Sequence, residues 1–188
     1  EEYGPFIFHF SASGQKIGAL SISDEYKPSK GRGRTENQGF ESLCASPDRR
    51  VLTTILQSPL AQEGGRGGAH TRLMTWSLSD LKAAPHSYQL PRVDPAALKL
   101  PIERSETGIN ECLAVSSSTY LILERDSRGL AQAEGRTHPY FKSIVRVTLT
   151  PDGRLARAGQ IDLLAPLYAA GFTPETVPPK FESLELGP

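Results

Sequence analysis

The sequence lacks a long apolar run, an excess of charge of either sign, and a dense set of cysteines. No stretch approaches the roughly 18–20 apolar residues that a membrane-spanning helix needs. The 21 basic and 21 acidic residues cancel to a net charge of zero. This balance argues against a general nucleic-acid partner and against a polybasic membrane-surface protein. The cysteines Cys44 and Cys112 are too few for a disulfide scaffold, and we expect buried free thiols or an incidental pair.

Short motifs for nucleophilic or metal-dependent hydrolysis are also missing. There is no Gly-x-Ser-x-Gly elbow and no His-Glu-x-x-His, and the four histidines show no ligand spacing. The glycine-rich segment Gly64–Gly68 does not follow a strand that leads into a helix, so it is no dinucleotide or phosphate loop. We interpret it as a flexible linker and expect no organic cofactor.

Period-two hydrophobic segments predict an all-β chain. Seventeen glycines and fifteen prolines separate these segments with turns, which favours many short strands. Helical turns are plausible at residues 94–99 and 164–170 alone. The predicted strands are residues 6–10, 17–22, 40–45, 51–57, 72–78, 87–90, 110–115, 120–124, 144–149 and 155–163.

A repeat of about 70 residues organises these strands. The string Gly39–Leu43 recurs as Lys180–Leu184, with Ile109–Leu113 between them. Each period holds four strands, which is typical of a β-propeller with four-stranded antiparallel blades. The alternative is a β-sandwich in which the repeated strings match by chance. The prediction is two full blades, at residues 39–92 and 109–165, plus parts of two others, namely two strands before them and one at 180–184.

The predicted propeller cannot close within this chain. Closure takes about four to eight blades. We therefore interpret residues 1–188 as a single, apparently truncated propeller domain. The missing blades come from a longer protein, which we favour, or from other chains.

Long connections alternate with tight turns along the repeat, so all long loops are expected on one face, where function is usually found. Glu41, Glu111 and Glu182 each begin an innermost strand on that face, and Glu124 and Asp126 end a second strand there. We expect these carboxylates to converge at the mouth of the central channel. Either they hold a hard cation such as Ca²⁺ or Mg²⁺, or they accept backbone N–H bonds and hold the ring together.

Several strings in order resemble the family called esterase-like activity of phytase, whose members are phytase-like domain proteins. They include Gly39-Phe40-Glu41, Leu56-Gln57-Ser58-Pro59 and Leu123-Glu124-Arg125-Asp126, and the resemblance spans essentially the whole chain. Asn110-Glu111 stands where the family often has Ser-Asp or Asn-Asp. The resemblance implies a propeller, commonly exported to the periplasm or outside the cell, with phosphomonoesterase or esterase activity.

The resulting hypothesis is metal-assisted hydrolysis of a small phosphoester or ester at the channel mouth. A divalent cation, Ca²⁺ or another, would polarise the ester and lower the pKa of a bound water. The alternative is a non-catalytic propeller that binds a ligand or a protein. The predicted roles are catalysis by Glu111, Glu124 and Asp126, substrate binding by Gln57, Arg125 and Arg128, and metal binding by Glu41, Glu111 and Glu182.

Overall fold

The computed structural model describes residues 3–91, 107–130 and 138–187 of the 188-residue chain. Two sequence predictions therefore lie outside the described residues. They are the helical turn at residues 94–99 and most of the long connection at residues 91–108.

Ten strands and one short α-helix form the regular structure of the described residues. Ten of the eleven predicted strands are present, with ends that differ by a few residues. None of the helices in these ranges has the length and hydrophobicity needed to cross a membrane. The elements are β1 (Phe8–Phe10), β2 (Lys16–Ala19), β3 (Cys44–Ala45), β4 (Val51–Ile55), β5 (His70–Ser77), β6 (Ala83–Gln89), β7 (Thr107–Ala114), β8 (Thr119–Asp126), β9 (Lys142–Leu149), β10 (Leu155–Asp162) and α1 (Leu164–Ala169).

The strands form three antiparallel sheets in which neighbours in sequence are neighbours in space. β1 pairs with β2, β3 to β6 form the first four-stranded sheet, and β7 to β10 form the second. The prediction of an all-β chain with four-stranded antiparallel sheets is therefore confirmed. Pro85 lies in β6, an edge strand, where the absence of an N–H leaves no gap in a ladder.

Residues 180–184 do not form the predicted strand. The segment forms no ladder, because no strand in the described part of the chain pairs with it. Instead, the Phe181 ring lies 5.8 Å from the Nζ atom of Lys142, the first residue of β9. The repeat string is therefore present at this place in the sequence, but here it folds onto the second sheet.

The two four-stranded sheets pack face to face. The first strands of the two sheets, β3 and β7, contact each other, and so do the last strands, β6 and β10. β4 also contacts β7. Ile55 and Leu73 of the first sheet meet Ile122, Val145 and Val147 of the second sheet in a fully buried core. Period-two alternation turns these residues to one face, and their burial drives the association.

The opposite face of the first sheet is covered as well. Leu56, Met74 and Trp76 alternate with the residues of the first core and pack against Tyr26 and Phe40 in a second cluster. The first sheet is thus buried on both faces, as expected for a layer inside a stack of sheets rather than at its end.

A buried carboxylate joins the two sheets, and we call it, with its partners Arg157 and Tyr88, the Glu124 clamp. Glu124 of β8 is fully buried, and Arg157 of β10 donates to its two oxygens at 2.7 and 3.1 Å. The Tyr88 hydroxyl of β6 also donates to Glu124. Burial, together with the Glu124 charge, raises the pKa of Tyr88, so its hydroxyl keeps the proton that it donates. The clamp therefore ties the first sheet to two strands of the second.

Truncation of Ile122 tests the core between the sheets. Ile122 is 0% exposed in β8, whereas Ile161, in β10 of the same sheet, is 60% exposed. Ile122→Ala should lower the free energy of unfolding by about 2–5 kcal/mol, because it removes buried methyl groups and leaves a cavity. The matched control Ile161→Ala should change it by no more than about 0.5 kcal/mol. Denaturant unfolding measures both, and equal effects would contradict the packing described.

Candidate functional site

A pocket of about 180 Å³ lies where the inner strands of both sheets end. We call it the polar pocket, because its walls are almost entirely polar. Both sheets, the loop before the first sheet and the segment after α1 contribute to it. The residues that matter most for its chemistry are Gln38, Glu41, Gln57, Asn110, Arg125 and Glu182.

Backbone hydrogen bonds hold the wall of the polar pocket in place. The Glu41 N–H donates to the Ile55 carbonyl at 3.0 Å, and the Gln57 N–H donates to the Gly39 carbonyl at 3.0 Å. These bonds extend the ladder of β3 and β4 towards the pocket. The Ile109 N–H then donates to the Gln57 carbonyl at 3.3 Å, which connects the second sheet to the first at this point.

A close approach of backbone to side chain accompanies this connection. A Cβ atom at Gly108 would lie 3.2 Å from Cγ of Gln57, closer than most such contacts. Glycine at this position therefore lets β7 approach the end of β4 and keeps Gln57 in the wall of the pocket.

A β-bulge decides which polar side chain of β7 enters the polar pocket. In the ladder, Ile109 lies opposite Glu124 and Glu111 opposite Leu123, so Asn110 is the extra residue. A bulge interrupts the alternation of a strand and redirects side chains. As a result, Asn110 lines the polar pocket, whereas Glu111 lies outside it.

Glu111 lines a neighbouring cleft of about 310 Å³, which Glu41 also lines. Burial raises the pKa of Glu111, and the hydrogen bond of 2.8 Å that its Oε1 accepts from the Cys112 N–H opposes this effect. Glu41 thus borders both cavities, while Glu111 and Glu182 border different ones.

Arg125 is the central charge of the polar pocket. Its side chain is buried, its Nη1 donates to the Ser127 hydroxyl at 3.0 Å, and its Nε has no hydrogen-bond partner among the described residues. Burial lowers the pKa of Arg125, and the nearby carboxylates of Glu182 and Glu41 oppose that effect. Asp126, the next residue in the chain, acts in the same direction, so three carboxylates lie within electrostatic reach of the guanidinium.

Two buried amides of the same wall also lack partners. Neither Oε1 of Gln38 nor Oδ1 of Asn110 accepts a hydrogen bond within the described ranges. Unpaired buried polar groups are rare in folded proteins, and each one costs free energy. Together with Nε of Arg125, they indicate that this wall is adapted to function more than to stability.

Sequence reasoning missed six residues of the polar pocket, which are Asn37, Gln38, Arg66, Asn110, Ser127 and Lys180. Lys180 could have been predicted from the sequence, because it directly precedes a Phe-Glu string of the repeat. Its Nζ lies 3.6 Å from Oε1 of Glu182, and both side chains are exposed at the rim. The position of Asn110 had no such signal, because a bulge is not visible in a period-two pattern.

Arg66 was missed because the glycine-rich segment is not a flexible linker. It folds into short 3₁₀ turns at Ala61–Glu63 and Gly65–Gly67. Gly64 has φ +98°, and a Cβ atom at Gly68 would lie 2.6 Å from the Glu63 carbonyl oxygen. The glycines are needed for a compact turn, and that turn carries Arg66 to the pocket.

Asp126 is predicted to be catalytic, but the structure places it inside the protein, away from the polar pocket. Its carboxylate accepts hydrogen bonds from Lys142 Nζ at 3.1 Å and from the backbone N–H groups of Arg128, Tyr140 and Phe141. Burial lowers the pKa of Lys142, and Asp126 opposes this. Lys142 also donates to the Pro179 carbonyl at 2.8 Å, so this pair anchors the segment that leads to Glu182.

Glu124 and Arg128 also lie outside the lining of the polar pocket. Glu124 belongs to the clamp between the sheets, where Arg157 and Tyr88 occupy its oxygens. The Arg128 guanidinium lies 4.6 Å from the centre of the Tyr140 ring and donates to its hydroxyl at 2.9 Å. Of the residues predicted from the sequence, the structure therefore brings together Glu41, Gln57, Arg125 and Glu182.

The residues present do not fit the predicted metal site. In the part of the chain that the structure describes, no group of three or more His, Cys, Asp and Glu side chains converges. Glu41, Glu111 and Glu182 border two different cavities, and the Arg125 guanidinium already supplies positive charge to two of them. The pocket is thus built from carboxylates, amides and a guanidinium.

Comparison with known proteins assigns the family. Residues 1–188 match the phytase-like family, which is described as esterase-like activity of phytase, so the chain belongs to that family.

Two similar proteins have known sequences or structures. An uncharacterized secreted protein of Arthroderma benhamiae is 28% identical over 181 residues, covering 78% of this chain and 34% of that protein. The chain therefore spans about a third of the length of this relative. The periplasmic gluconolactonase PpgL of Pseudomonas aeruginosa has a TM-score of 0.43 and 12% identity, covering 83% of this chain and 34% of that one.

Glu111→Gln tests the environment of the Glu111 carboxyl. Because folding raises its pKa above the ordinary 4.5, the native state retains a proton that the unfolded state releases. The stability contributed by Glu111 therefore falls as pH rises from 4.5 through the raised pKa. Glutamine has no charge to bury and keeps an acceptor for the Cys112 N–H.

Unfolding measurements from acid to neutral pH check this prediction. The difference in unfolding free energy between variant and parent should shift in favour of the variant as pH rises, and then level off. A difference that is constant with pH, or one that shifts towards the parent, would contradict a raised pKa.

Proposed function

We propose that this chain supplies the substrate pocket of an exported hydrolase that cleaves small phosphoesters or carboxylic esters. The observation that carries the proposal is the buried guanidinium of Arg125, close to Glu41 and Glu182 in the polar pocket. The description of the family as esterase-like supports the reaction class. The match to a secreted relative fits an exported protein.

Arg125 is proposed to bind the oxygen atoms of the ester. Phosphoryl oxygens are negatively charged, and an acyl oxygen becomes so in the transition state. A guanidinium donates charge-assisted hydrogen bonds to such oxygens, and burial strengthens its electrostatic effect. The Nε atom of Arg125, which lacks a partner in the described residues, is the donor that the proposal assigns to this oxygen.

Glu182 is proposed to activate water, with Glu41 as the second candidate. Both carboxylates border the pocket that contains Arg125. A carboxylate within hydrogen-bonding reach of water accepts its proton as the water attacks the ester. The amides of Gln57 and Asn110 line the same space and are suited to orient polar groups of the substrate.

The remaining predicted catalytic residues receive different roles in this proposal. Glu124 and Asp126 are positioning residues, because the hydrogen bonds of both carboxylates hold structure together. Glu111 stays a candidate acid in the neighbouring cleft, where burial raises its pKa. We assign no step to a metal ion, since the residues present do not fit one.

We also propose that the two four-stranded sheets are adjacent blades of a β-propeller. Three features support this: the strand order, the side-by-side contact of corresponding strands, and the burial of the first sheet on both faces. Further blades would be supplied from outside this chain, which spans about a third of its secreted relative.

The second candidate function is ligand binding without chemistry. It is favoured by the contacts of Glu124 and Asp126, two of the three predicted catalytic carboxylates, which are fully buried and paired within the protein. In that case the polar pocket would bind a polar molecule that the protein does not cleave.

Arg125→Lys and Glu182→Gln test the hydrolase. Arg125→Lys keeps the charge but removes the planar fork, and should lower kcat/KM by about 10²-fold for an aryl phosphate or aryl acetate. Glu182→Gln removes the proton acceptor and should lower kcat by about 10²-fold or more. Arg146→Lys, at an exposed position of β9, is the matched control and should leave both constants unchanged.

The same assay with and without a chelator separates the alternatives. Turnover that survives the chelator and falls in both variants supports the proposal. Ligand binding that depends on Arg125 without any turnover supports the binding module instead. Turnover that neither variant reduces would place the chemistry outside the polar pocket and overturn the assignment.

A further inference from the structure

The two cysteines of the chain come from different sheets and meet at the interface between them. Cys44 lies in β3, the first strand of the first sheet, and Cys112 lies in β7, the first strand of the second. These two strands contact each other. Cys112 is fully buried in the core between the sheets, and Cys44 packs against that core.

The two side chains pack into the same core. The nearby Cys112 thiol lowers the pKa of Cys44, and both are free thiols in this structure. Cys44 is half-buried, so reagents reach it from solvent, while Cys112 is reached through Cys44. The fold thus brings two cysteines that are 68 positions apart in sequence into one core, on strands that contact each other.

We propose that Cys44 and Cys112 form a disulfide bond that covalently links the two sheets. A metal site explains the proximity of the two cysteines less well. No group of three or more His, Cys, Asp and Glu side chains converges within the described ranges, and two sulfurs alone do not complete the coordination of a structural zinc.

The oxidant is a disulfide, such as oxidised glutathione or a disulfide-exchange protein. The Cys44 sulfur attacks one sulfur of the oxidant, which breaks its S–S bond and releases one thiol. The Cys112 sulfur then attacks the Cys44 sulfur of the mixed disulfide and releases the second thiol. The two thiol protons of the protein end on the two released thiols, and two electrons pass to the oxidant.

The bond would secure the strands next to the candidate site. Glu41 lies three residues before Cys44, and Glu111 directly precedes Cys112. Both glutamates border the same cleft. A covalent link between these strands would therefore limit the separation of the two sheets beside the polar pocket. The inference does not depend on the proposed hydrolase activity.

Peptide mapping of the purified protein tests the bond directly. Trypsin releases Cys44 in the peptide of residues 35–49 and Cys112 in the peptide of residues 105–125. After incubation with oxidised glutathione and blocking of remaining thiols, these peptides should appear as one linked species that a reductant separates. Two separately blocked peptides, or glutathione adducts without the linked species, would overturn the proposal.

Thermal unfolding provides a second readout. Reduction should lower the Tm of the oxidised protein by on the order of 10 °C, because the link closes a long loop in the unfolded chain. Cys44→Ser, at the less buried position, should unfold at the same temperature with and without reductant. A Tm of the parent protein that does not respond to reduction would contradict a link between the sheets.

Discussion

A single buried carboxylate, Glu124, holds the two four-stranded sheets in a defined relation. Removing an ionised group from water costs several kcal/mol unless its oxygens find partners. Here Arg157 and Tyr88 supply them, and they come from different sheets. A slip of one sheet past the other would take the Tyr88 hydroxyl away from this buried charge, so the clamp favours one arrangement. Apolar packing alone discriminates less between neighbouring registers.

The polar pocket depends on that arrangement. Arg125 follows Glu124 in β8, and successive residues of a strand point to opposite sides. While Glu124 faces the first sheet, Arg125 is free to line the pocket near Glu41 and Glu182. The Glu124 carboxylate therefore has its hydrogen-bond partners, whereas the neighbouring Arg125 guanidinium has only some of them. One contributes to stability, and the other leaves hydrogen-bonding capacity for a ligand.

Sequence patterns predicted eleven strands, of which ten are present, together with the four-stranded units and four of the ten residues that line the candidate pocket, because these follow from periodicity, the repeat and the family resemblance. Glu41 and Glu182 meet as the repeat predicts. Glu111 does not, since the bulge at Asn110 shifts the alternation, and a bulge depends on backbone geometry rather than composition. Asp126 ends a strand, and such a position is usually exposed. Its partner Lys142 lies sixteen residues further along the chain, so the sequence did not reveal that the Asp126 carboxylate is paired and buried. The glycines around Arg66 indicated flexibility but serve a tight turn.

The contact that joins the two sheets is the hydrogen bond from Tyr88 to Glu124, and a double-mutant cycle measures their coupling. Glu124→Met and Tyr88→Phe, alone and combined, would be compared by denaturant unfolding. We expect a coupling free energy of about 1–3 kcal/mol, because each single change leaves the other group without its partner. Effects that add within about 0.5 kcal/mol would contradict a clamp that sets the relation of the sheets.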